Sequence, residues 1–374
     1  MNGQWLGKYT GTNAGDIMVN FDDMGDYYEG VAFLVDDNKQ FPIVVAEVKT
    51  SDKNKEFQFN TKNIYTINPK TFLIDRWENV KGFFPNVNFP SEAKVWGNWD
   101  DKLLSMNWST DIGTSGSSQA SLPKSRAEVP SEYIPVDVHD WNNYKEHVAK
   151  LEGGRYLFRG QKEPWRLRTA FHRTGRSNLG RFLSNDIQTL LRQLSARTKH
   201  IFNLDIPNEN GAFFNLVQHH GYPTPLLDWT YSPYAAAFFA YREISNKEAA
   251  KKSDTDKVRI FVFDQKTWRE DFVQPAFLNS PHPYFSIMEF MAIDNERMVP
   301  QQAASSLTNI DDIESYIKSM EVVKKKQYLY VIDLPQKNRK DVMNELRHMG
   351  ITAGALFPGL DGACEALKER FFDI

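Results

Sequence analysis

The sequence lacks the features that mark several classes of protein. It has one cysteine, Cys364, so no disulfide can form within the chain and no zinc site can be built from cysteines. No run of about 18 apolar residues occurs, so no transmembrane helix is expected. The opening segment MNGQWLGKYTG does not show the basic and then apolar order of a signal peptide. We therefore expect a soluble cytoplasmic protein.

The charge of the chain is also close to balanced. It carries 45 Lys and Arg against 48 Asp and Glu, a formal net charge of -3. This balance gives no general reason to expect binding to nucleic acid or to a membrane surface, although local basic clusters remain open. No P-loop, nucleotide-binding GxGxxG or HExxH motif occurs, and no metal site is expected.

The length of 374 residues predicts more than one domain. Residues 1–110 read as an antiparallel all-β domain, a barrel or a sandwich, because short aromatic and β-branched segments alternate with turn formers. Residues 111–131 hold Gly, Ser, Pro and Ala with few large apolar side chains, which predicts a flexible linker. Residues 132–374 mix helices and strands irregularly, so the second domain is predicted to be α+β.

Five tryptophans of the first domain could line a ligand cavity, and the alternative is that they form its core. They are Trp5, Trp77, Trp96, Trp99 and Trp108. The sequence leaves both interpretations open, along with the role of this domain in target recognition, regulation or assembly.

In the second domain, helix caps are predicted at Asp140 and at Ser232–Pro233. The segment RYLFRG is predicted to be a strand that ends at Gly160, and ITAGALFPGL, residues 351–360, is predicted to be a last strand and turn. A glycine at the end of a strand permits close approach of a backbone or a ligand. The arginine before it, Arg159, is either a phosphate or carboxylate ligand or a structural ion-pair partner, for instance of Asp228.

The segment QHHGYPTPLLDWT concentrates residue types that act in functional sites. His219 and His220 follow each other and point in different directions, so they are a poor metal pair, but one histidine could act as an acid, a base or a donor. Asp228 and Thr230 come just before a predicted helix start, where backbone N–H groups and the hydroxyls of Thr230 and Ser232 could bind an anion. The alternative is that Asp228 and Ser232 only cap the helix. The density of such residues favours a site.

Together these motifs resemble the FRG domain of bacterial and phage proteins. The tripeptide FRG at 158–160 gives that family its name, and QHHGYPTPLLDWTYSPYAAAFFA at 218–240 is similar to its second hallmark. NERMVPQQAA at 295–304 and ALFPGLDG at 355–362 are similar to its third and closing elements. The resemblance spans about 155–365, and no family is recognised in the first half.

The order of the motifs is similar, more distantly, to that of ADP-ribosyltransferases, which implies NAD as the substrate. By this resemblance Arg159 and Gly160 would hold the NAD phosphates or ribose, and Thr230 would sit on the following strand as a further contact. Trp229 or Tyr222 would stack on the nicotinamide ring. The resemblance does not name a target, which could be a protein or a nucleic acid.

The same resemblance implies a carboxylate or amide that polarises the nicotinamide ribose. Glu296 or Gln301 would fill this role, because glycosidic cleavage creates an oxocarbenium-like centre that such groups stabilise. The first hypothesis is therefore an NAD-using toxin or antiphage effector. The second is a metal-independent nuclease or nucleotidase in which His220 and Asp228 act as acid and base. The third is a non-enzymatic module that senses a nucleotide or a phage protein.

Overall fold

The structure is a computed structural model that describes residues 1–372. Residues 3–121 form a ten-stranded antiparallel sheet with the spatial order β5-β8-β9-β10-β1-β2-β3-β4-β6-β7. Its strands are β1 (Gly3–Gly11), β2 (Gly15–Asp23), β3 (Tyr28–Asp36), β4 (Val44–Lys49), β5 (Glu56–Thr61), β6 (Ile64–Ile67), β7 (Ile74–Asp75), β8 (Ala93–Trp99), β9 (Leu103–Thr110) and β10 (Ser115–Ser121). A short helix, α1 (Trp77–Val80), follows β7 and continues as a 3-10 turn over Lys81–Phe83.

The sheet curls around its own core. Side chains from strands far apart in the spatial order, among them Trp5, Phe21, Phe57 and Leu104, meet in one buried cluster on the concave face. The edge strand β5 approaches β4, where the Thr61 hydroxyl donates to the Glu47 carbonyl at 2.8 Å. A large antiparallel sheet is therefore present in the first part of the chain, as the alternating pattern predicted.

The flexible linker predicted for 111–131 is wrong over its first part. Strand β10 pairs with both β1 and β9, and Ala120 is fully buried. The small side chains that suggested a linker have a packing reason: a Cβ on Gly116 would lie 2.4 Å from the Trp108 ring. Two neighbouring strands supply the hydrogen bonds of β10, so its backbone pairing does not depend on large apolar side chains of its own.

After β10 the chain crosses to the second half through α2 (Lys124–Ala127) and an extended stretch. This stretch is held by a bridge between Pro135 and Val331, and the Val136 N–H donates to the Val331 carbonyl at 3.0 Å. Tyr133 is buried among the residues of the second core. Within the predicted linker, the Ser131 N–H donates to the Pro164 carbonyl at 3.0 Å and the Ser131 hydroxyl donates to the Glu314 carboxylate at 2.9 Å, so the end of this segment is fixed to the second half of the chain.

A six-stranded antiparallel sheet with the order β14-β15-β12-β11-β13-β16 forms the centre of the second half. Its strands are β11 (Tyr156–Gln161), β12 (Leu226–Thr230), β13 (Lys257–Asp264), β14 (Phe285–Met288), β15 (Ala303–Thr308) and β16 (Leu329–Pro335). The helices are α3 (Trp141–Val148), α4 (Ala170–Arg173), α5 (Leu179–Arg181), α6 (Gln188–Leu194), α7 (Pro207–His219), α8 (Pro233–Arg242), α9 (Asn246–Ala249), α10 (Gln265–Asp271), α11 (Ile313–Lys324), α12 (Arg339–His348), α13 (Ala353–Leu356) and α14 (Leu360–Phe372). A π-helical stretch over Phe182–Ile187 joins α5 to α6.

Helices cover both faces of this sheet, which makes the second half α+β as predicted. Residues of α3, α8 and α12 pack on one face, and residues of α10 and α11 pack on the other. The predicted caps are in place, since the Asp140 carboxylate accepts from the Asn143 N–H and the Ser232 hydroxyl from the Ala235 N–H. Among residues 1–372, no helix is both long enough and apolar enough to cross a bilayer.

The strand predicted within residues 351–360 is a helix instead. The Thr352 hydroxyl accepts a hydrogen bond from the Ala355 N–H and starts α13, whose Ala353 and Leu356 are buried. Pro358 follows, and Gly359 has a positive φ of 108°, a conformation that glycine adopts without strain. The cap at the start and these two residues at the end restrict the apolar segment to one helical turn.

Candidate functional site

The FRG tripeptide and the Asp-Trp-Thr segment border one pocket of about 410 Å³, called here the Arg159 pocket. Its lining residues are Phe158, Arg159, Gly160, Gln161, Lys162, Trp165, Arg173, His219, Asp228, Trp229, Thr230, Phe239, Glu243, Gln301, Ala303 and Phe357. A second cavity of about 300 Å³ shares Arg159, Arg173 and Asp228 with it. The two cavities therefore adjoin at these three charged side chains.

Arg159 presents its charge to the pocket without a carboxylate partner. Its Nη1 donates to the backbone carbonyl of Asp228 at 2.7 Å. Among the described residues no carboxylate lies within ion-pair distance of the Arg159 guanidinium, and its buried Nε has no hydrogen-bond partner. Burial, together with the nearby Arg173 charge, lowers the pKa of Arg159 to about 10, so the side chain is still protonated at neutral pH. The structural ion pair with the Asp228 carboxylate is therefore not formed.

A second guanidinium, that of Arg173, lies at the same place. Arg173 is the last residue of α4, whose N-terminus is capped by Thr169. Burial, assisted by the nearby Arg168 charge, lowers the pKa of Arg173, and the Asp228 carboxylate opposes this change. The pocket is lined by three cationic side chains, Arg159, Lys162 and Arg173, and by two carboxylates, so positive charge is in excess. Guanidinium is the side chain that best matches phosphate oxygens.

Asp228 is held in a fixed orientation by its neighbours. Its Oδ1 accepts a hydrogen bond from Nε2 of Gln218 at 2.5 Å. The Gln218 carbonyl oxygen in turn accepts from the Thr224 hydroxyl, which belongs to the proline-rich turn before β12. Thr224 therefore orients a pocket carboxylate through one glutamine.

His219 is the histidine that lines the Arg159 pocket. Its Nδ1 lies 2.5 Å from Nδ2 of Asn295, which also donates to Oδ1 of Asn215 at 2.6 Å. Asn215 donates in turn to the Ser305 hydroxyl at 3.0 Å. Because an amide NH₂ group only donates, the His219 Nδ1 accepts and its Nε2 carries the proton. Burial lowers the pKa of His219, which favours this neutral form.

His220, which the sequence offered as an acid or base with Asp228, lies elsewhere. It is exposed and lines a separate cavity of about 770 Å³ together with Tyr222 and Glu296. Glu296 is exposed too, and neither residue lines the Arg159 pocket. Tyr222 borders the 300 Å³ cavity beside Arg159 but not the Arg159 pocket itself. At the C-terminal end of α7, His219 and His220 therefore line different cavities.

Thr230 and Gln301 lie at the pocket wall and bind each other. The Thr230 hydroxyl donates to the Gln301 backbone carbonyl at 2.6 Å and accepts from the Ser232 N–H at 3.0 Å. The Gln301 side chain donates to the Leu356 carbonyl at 3.0 Å. With these bonds in place, both side chains fix the shape of the wall.

Trp229 borders the pocket, but its ring belongs to the core. The indole is 3% exposed, lies 5.7 Å from the Phe263 ring between centroids, and donates to the Ser306 hydroxyl at 3.0 Å. Ring stacking on a ligand needs a free aromatic face, and Trp229 has none available. The exposed aromatic ring at the pocket is Trp165, 49% accessible, which the sequence interpretation missed.

Gly160 provides room for a helix. A Cβ placed there would lie 1.9 Å from the Ala236 carbonyl oxygen and 2.8 Å from the Ala240 nitrogen, both in α8. The close approach of another backbone, one of the two expectations for this glycine, is therefore observed. It brings α8 against β11 and so sets the distance between the FRG strand and the helix beside the pocket.

The third and fourth motifs complete the walls. The Arg297 side chain donates to the His219 carbonyl at 3.2 Å, and its guanidinium lies 5.4 Å from the centre of the Phe357 ring. Arg242 lies 4.2 Å from the same ring and pairs with Glu365. Phe357 is thus contacted by two cations, and segments distant in sequence meet at one place.

Pocket residues missed from the sequence are Trp165, Arg173 and Glu243. They fall on a loop, on a four-residue helix and at the end of α8, where no periodic pattern marks them. Glu243 is exposed and is, with Asp228, one of two carboxylates that line the pocket. Among the described residues, no group of three His, Cys, Asp or Glu side chains is placed to hold a metal ion.

Comparison with known proteins identifies part of this region. The family model described as FRG domain matches residues 154–249, which carry Arg159, Arg173, His219 and Asp228. The search of curated proteins gave no significant match. The search of solved structures gave none either. The chain therefore contains an FRG domain, as its first two motifs predicted, while the third and closing motifs at 295–304 and 355–362 lie outside the matched residues. No family was recognised in the first half of the chain.

Proposed function

We propose that the FRG domain binds NAD in the Arg159 pocket and transfers its ADP-ribose to an acceptor. One observation carries this proposal: two guanidinium groups, those of Arg159 and Arg173, line a single pocket without an ion-pair partner among the described residues. A diphosphate has the charge and the oxygen geometry that such a pair recognises. The Arg159 pocket has a volume of about 410 Å³ and the adjoining cavity one of about 300 Å³. The two arginines lie where these cavities meet.

The exposed ring of Trp165 supplies a surface for a planar base. It stands at the pocket with half of its area accessible. An aromatic face near two cations is suited to a nucleotide, since it stacks on a base while the cations hold phosphate oxygens. In this arrangement Trp165 takes the stacking role that the sequence had assigned to Trp229 or Tyr222.

The reaction breaks the bond between C1′ of the nicotinamide ribose and the pyridinium nitrogen. The bonding electron pair leaves with nicotinamide, which becomes neutral, and the ribose develops oxocarbenium character. A nearby carboxylate stabilises this positive centre, and the pocket offers Asp228 and Glu243. The acceptor nucleophile then forms the new bond to C1′ and loses its proton to a base. Glu296 lies outside this pocket, so we assign it no role in this step.

Release of nicotinamide from NAD by the purified chain tests the proposal. Wild-type protein should release it, and Arg159→Ala should reduce the rate at least a hundredfold while its far-UV circular dichroism stays unchanged. This corresponds to about 2.7 kcal/mol of lost transition-state stabilisation. Arg347→Ala is the matched control, because Arg347 is exposed, its side chain donates to Asn344, and it does not line the Arg159 pocket. Equal rates in the two variants would contradict the proposal.

A second candidate is hydrolysis of a nucleotide or nucleic acid, and the position of His219 favours it. This histidine lines the same pocket as Asp228, as an acid–base pair requires, whereas His220 does not. This reaction predicts cleavage without NAD that is lost in His219→Gln. A pocket that binds nucleotides without turnover, as in a sensor of nucleotides or phage proteins, would give a thermal shift but no product.

The acceptor of ADP-ribose is a protein or a nucleic acid. Mass spectrometry of both fractions from cells that express the chain, compared with the Arg159→Ala variant, should find added ADP-ribose only with wild type. Loss of growth in the same cells would support a toxin or antiphage effector.

A further inference from the structure

The concave face of the N-terminal sheet encloses a cavity that the FRG domain does not use. Its volume is about 180 Å³. Apolar side chains from several strands line it, including Ile17, Leu34, Val95 and Met106. An apolar cavity of about 150 Å³ stays dry and binds a molecule the size of benzene.

The cavity arises from a difference in residue size between two parts of the concave face. Large side chains, Trp5, Phe21, Tyr28, Phe57 and Leu104, are buried on one part of the concave face.

Further along these or neighbouring strands, the inward positions hold small residues that line the cavity: Ala32, Ala46, Thr61 and Ala93. Small domains normally fill such an interior with side chains. The empty volume is therefore encoded by four small residues on four strands, and this favours a ligand as its occupant.

One carboxylate lies in this apolar wall. Asp36 is 8% exposed, and its two oxygens accept from the Tyr9 hydroxyl at 3.2 Å and from the Asn38 N–H at 2.8 Å. A carboxylate has about four lone-pair sites, so it can accept further hydrogen bonds. Lys39 donates to the Asp36 backbone carbonyl and not to the carboxylate. Asp36 therefore keeps acceptor capacity at the cavity.

The chain also supplies a cover for the cavity. Residues Val87, Phe89 and Pro90 line it together with Phe41. The Phe89 ring stacks on Trp77 at 4.7 Å between centroids, which fixes the segment. The resulting enclosure is apolar on most sides and has a hydrogen-bond acceptor on one.

We propose that this cavity binds a small aromatic alcohol of the size of phenol, with its hydroxyl donating to Asp36. The volume fits one ring, the lining favours apolar carbon, and the carboxylate accepts a donor. An ammonium group fits less well, because it brings three donors to a wall with one strong acceptor. The N-terminal domain is then a ligand-binding module.

Calorimetric titration of the full chain with phenol and with benzene tests this proposal. Phenol should saturate a single site and bind about tenfold more tightly than benzene, since a hydrogen bond to a charged group contributes about 1.5 kcal/mol or more. Asp36→Asn keeps an oxygen for the Asn38 N–H but brings an NH₂ donor to the site, so it should remove the preference for phenol. Absence of saturable binding, or equal affinity for the two probes in wild type, overturns the proposal.

A cavity-filling variant locates the site. Ala46→Leu should weaken the binding of phenol at least tenfold, because the larger side chain occupies part of the cavity. The matched control Ala149→Leu changes an exposed alanine of the other half and should leave binding unchanged. In wild type, phenol should shift the methyl NMR signals of Ala32, Ala46 and Val95. Shifts confined to other residues would overturn the proposal even if Ala46→Leu does not fold.

Discussion

The Asp22 carboxylate of the β domain accepts a hydrogen bond of 2.8 Å from the backbone N–H of Ser177 in the FRG domain. The same carboxylate accepts from the Asn178 N–H at 3.0 Å and from Nε of Arg176 at 2.9 Å. Asp22 is 1% exposed, so this anion is buried where the two halves meet. The segment it holds follows directly after α4, which carries Arg173.

Loss of this carboxylate should destabilise the protein and weaken the pocket. Asp22→Ala leaves two buried N–H groups without their acceptor, so we expect a loss of about 3 kcal/mol in the free energy of unfolding. Because the segment after α4 is then released, NAD affinity should also fall. Urea denaturation and calorimetry measure the two effects. Asp16→Ala is the control, since Asp16 pairs with Lys8 in solvent and should change stability by less than about 1 kcal/mol.

Gly160→Ala should be severely destabilising. The new Cβ would meet the backbone of α8 at 1.9 Å, and backbone atoms cannot move aside as a flexible side chain can. We expect a loss of about 3 kcal/mol or more, measured by urea denaturation. Gly153→Ala is the matched control, because nothing lies within 4 Å of its added Cβ. Similar losses in the two variants would show that α8 does not constrain the FRG strand.

Arg173→Gln should weaken the binding of NAD without destabilising the fold. Part of this side chain is open to solvent where it lines the pocket, so its replacement costs little packing, while one guanidinium for the diphosphate is lost. We expect an affinity loss of about tenfold to a hundredfold and a weaker dependence on salt concentration. Calorimetry at two salt concentrations measures both. Unchanged affinity would place the phosphates elsewhere.

Acid sensitivity should depend on His172. Burial, assisted by the nearby Arg168 charge, lowers the pKa of His172 to about 3 from an ordinary value of 6.5. As pH falls, the unfolded chain therefore binds the His172 proton before the folded protein does. The contribution of neutral His172 to the free energy of unfolding is complete above about pH 6.5 and decreases toward pH 3. Between pH 7.5 and 4.5, His172→Phe should lose about 2 kcal/mol less stability than wild type, measured by urea denaturation at each pH.

The control for this pH dependence is His139→Phe. His139 is largely exposed and pairs with Asp137 in solvent, so its replacement should leave the wild-type slope unchanged. If His172→Phe also retained the wild-type slope, His172 would not account for the acid sensitivity.

Local signals predicted much of the FRG domain. The strand RYLFRG and the cap at Ser232 depend on residues a few positions apart, and both are observed. Strand β10 was missed because its pairing partners, β1 and β9, supply what its own small side chains do not. The one-turn helix α13 was missed because its cap overrides a β-like composition.

Local signals in the sequence also predicted part of the pocket. Arg159 and Asp228 lie in dense motifs, and the structure brings them together. Which of two adjacent histidines faces the pocket depends on the last turn of α7 and on Asn295, a residue of another segment. Arg173 reaches the pocket because the β domain holds the segment after it. Such relations are tertiary, and no spacing within one motif encodes them.

The contact between Gln301 and Leu356 has a consequence for protein synthesis. Gln301 donates to the Leu356 carbonyl, and Phe357 lines the pocket. Leu356 and Phe357 are translated well after the FRG tripeptide. The ribosome must add nearly two hundred further residues, on the order of ten seconds or more of elongation, before these residues can complete the pocket wall. A polypeptide that ends before Leu356 therefore lacks one wall of the Arg159 pocket.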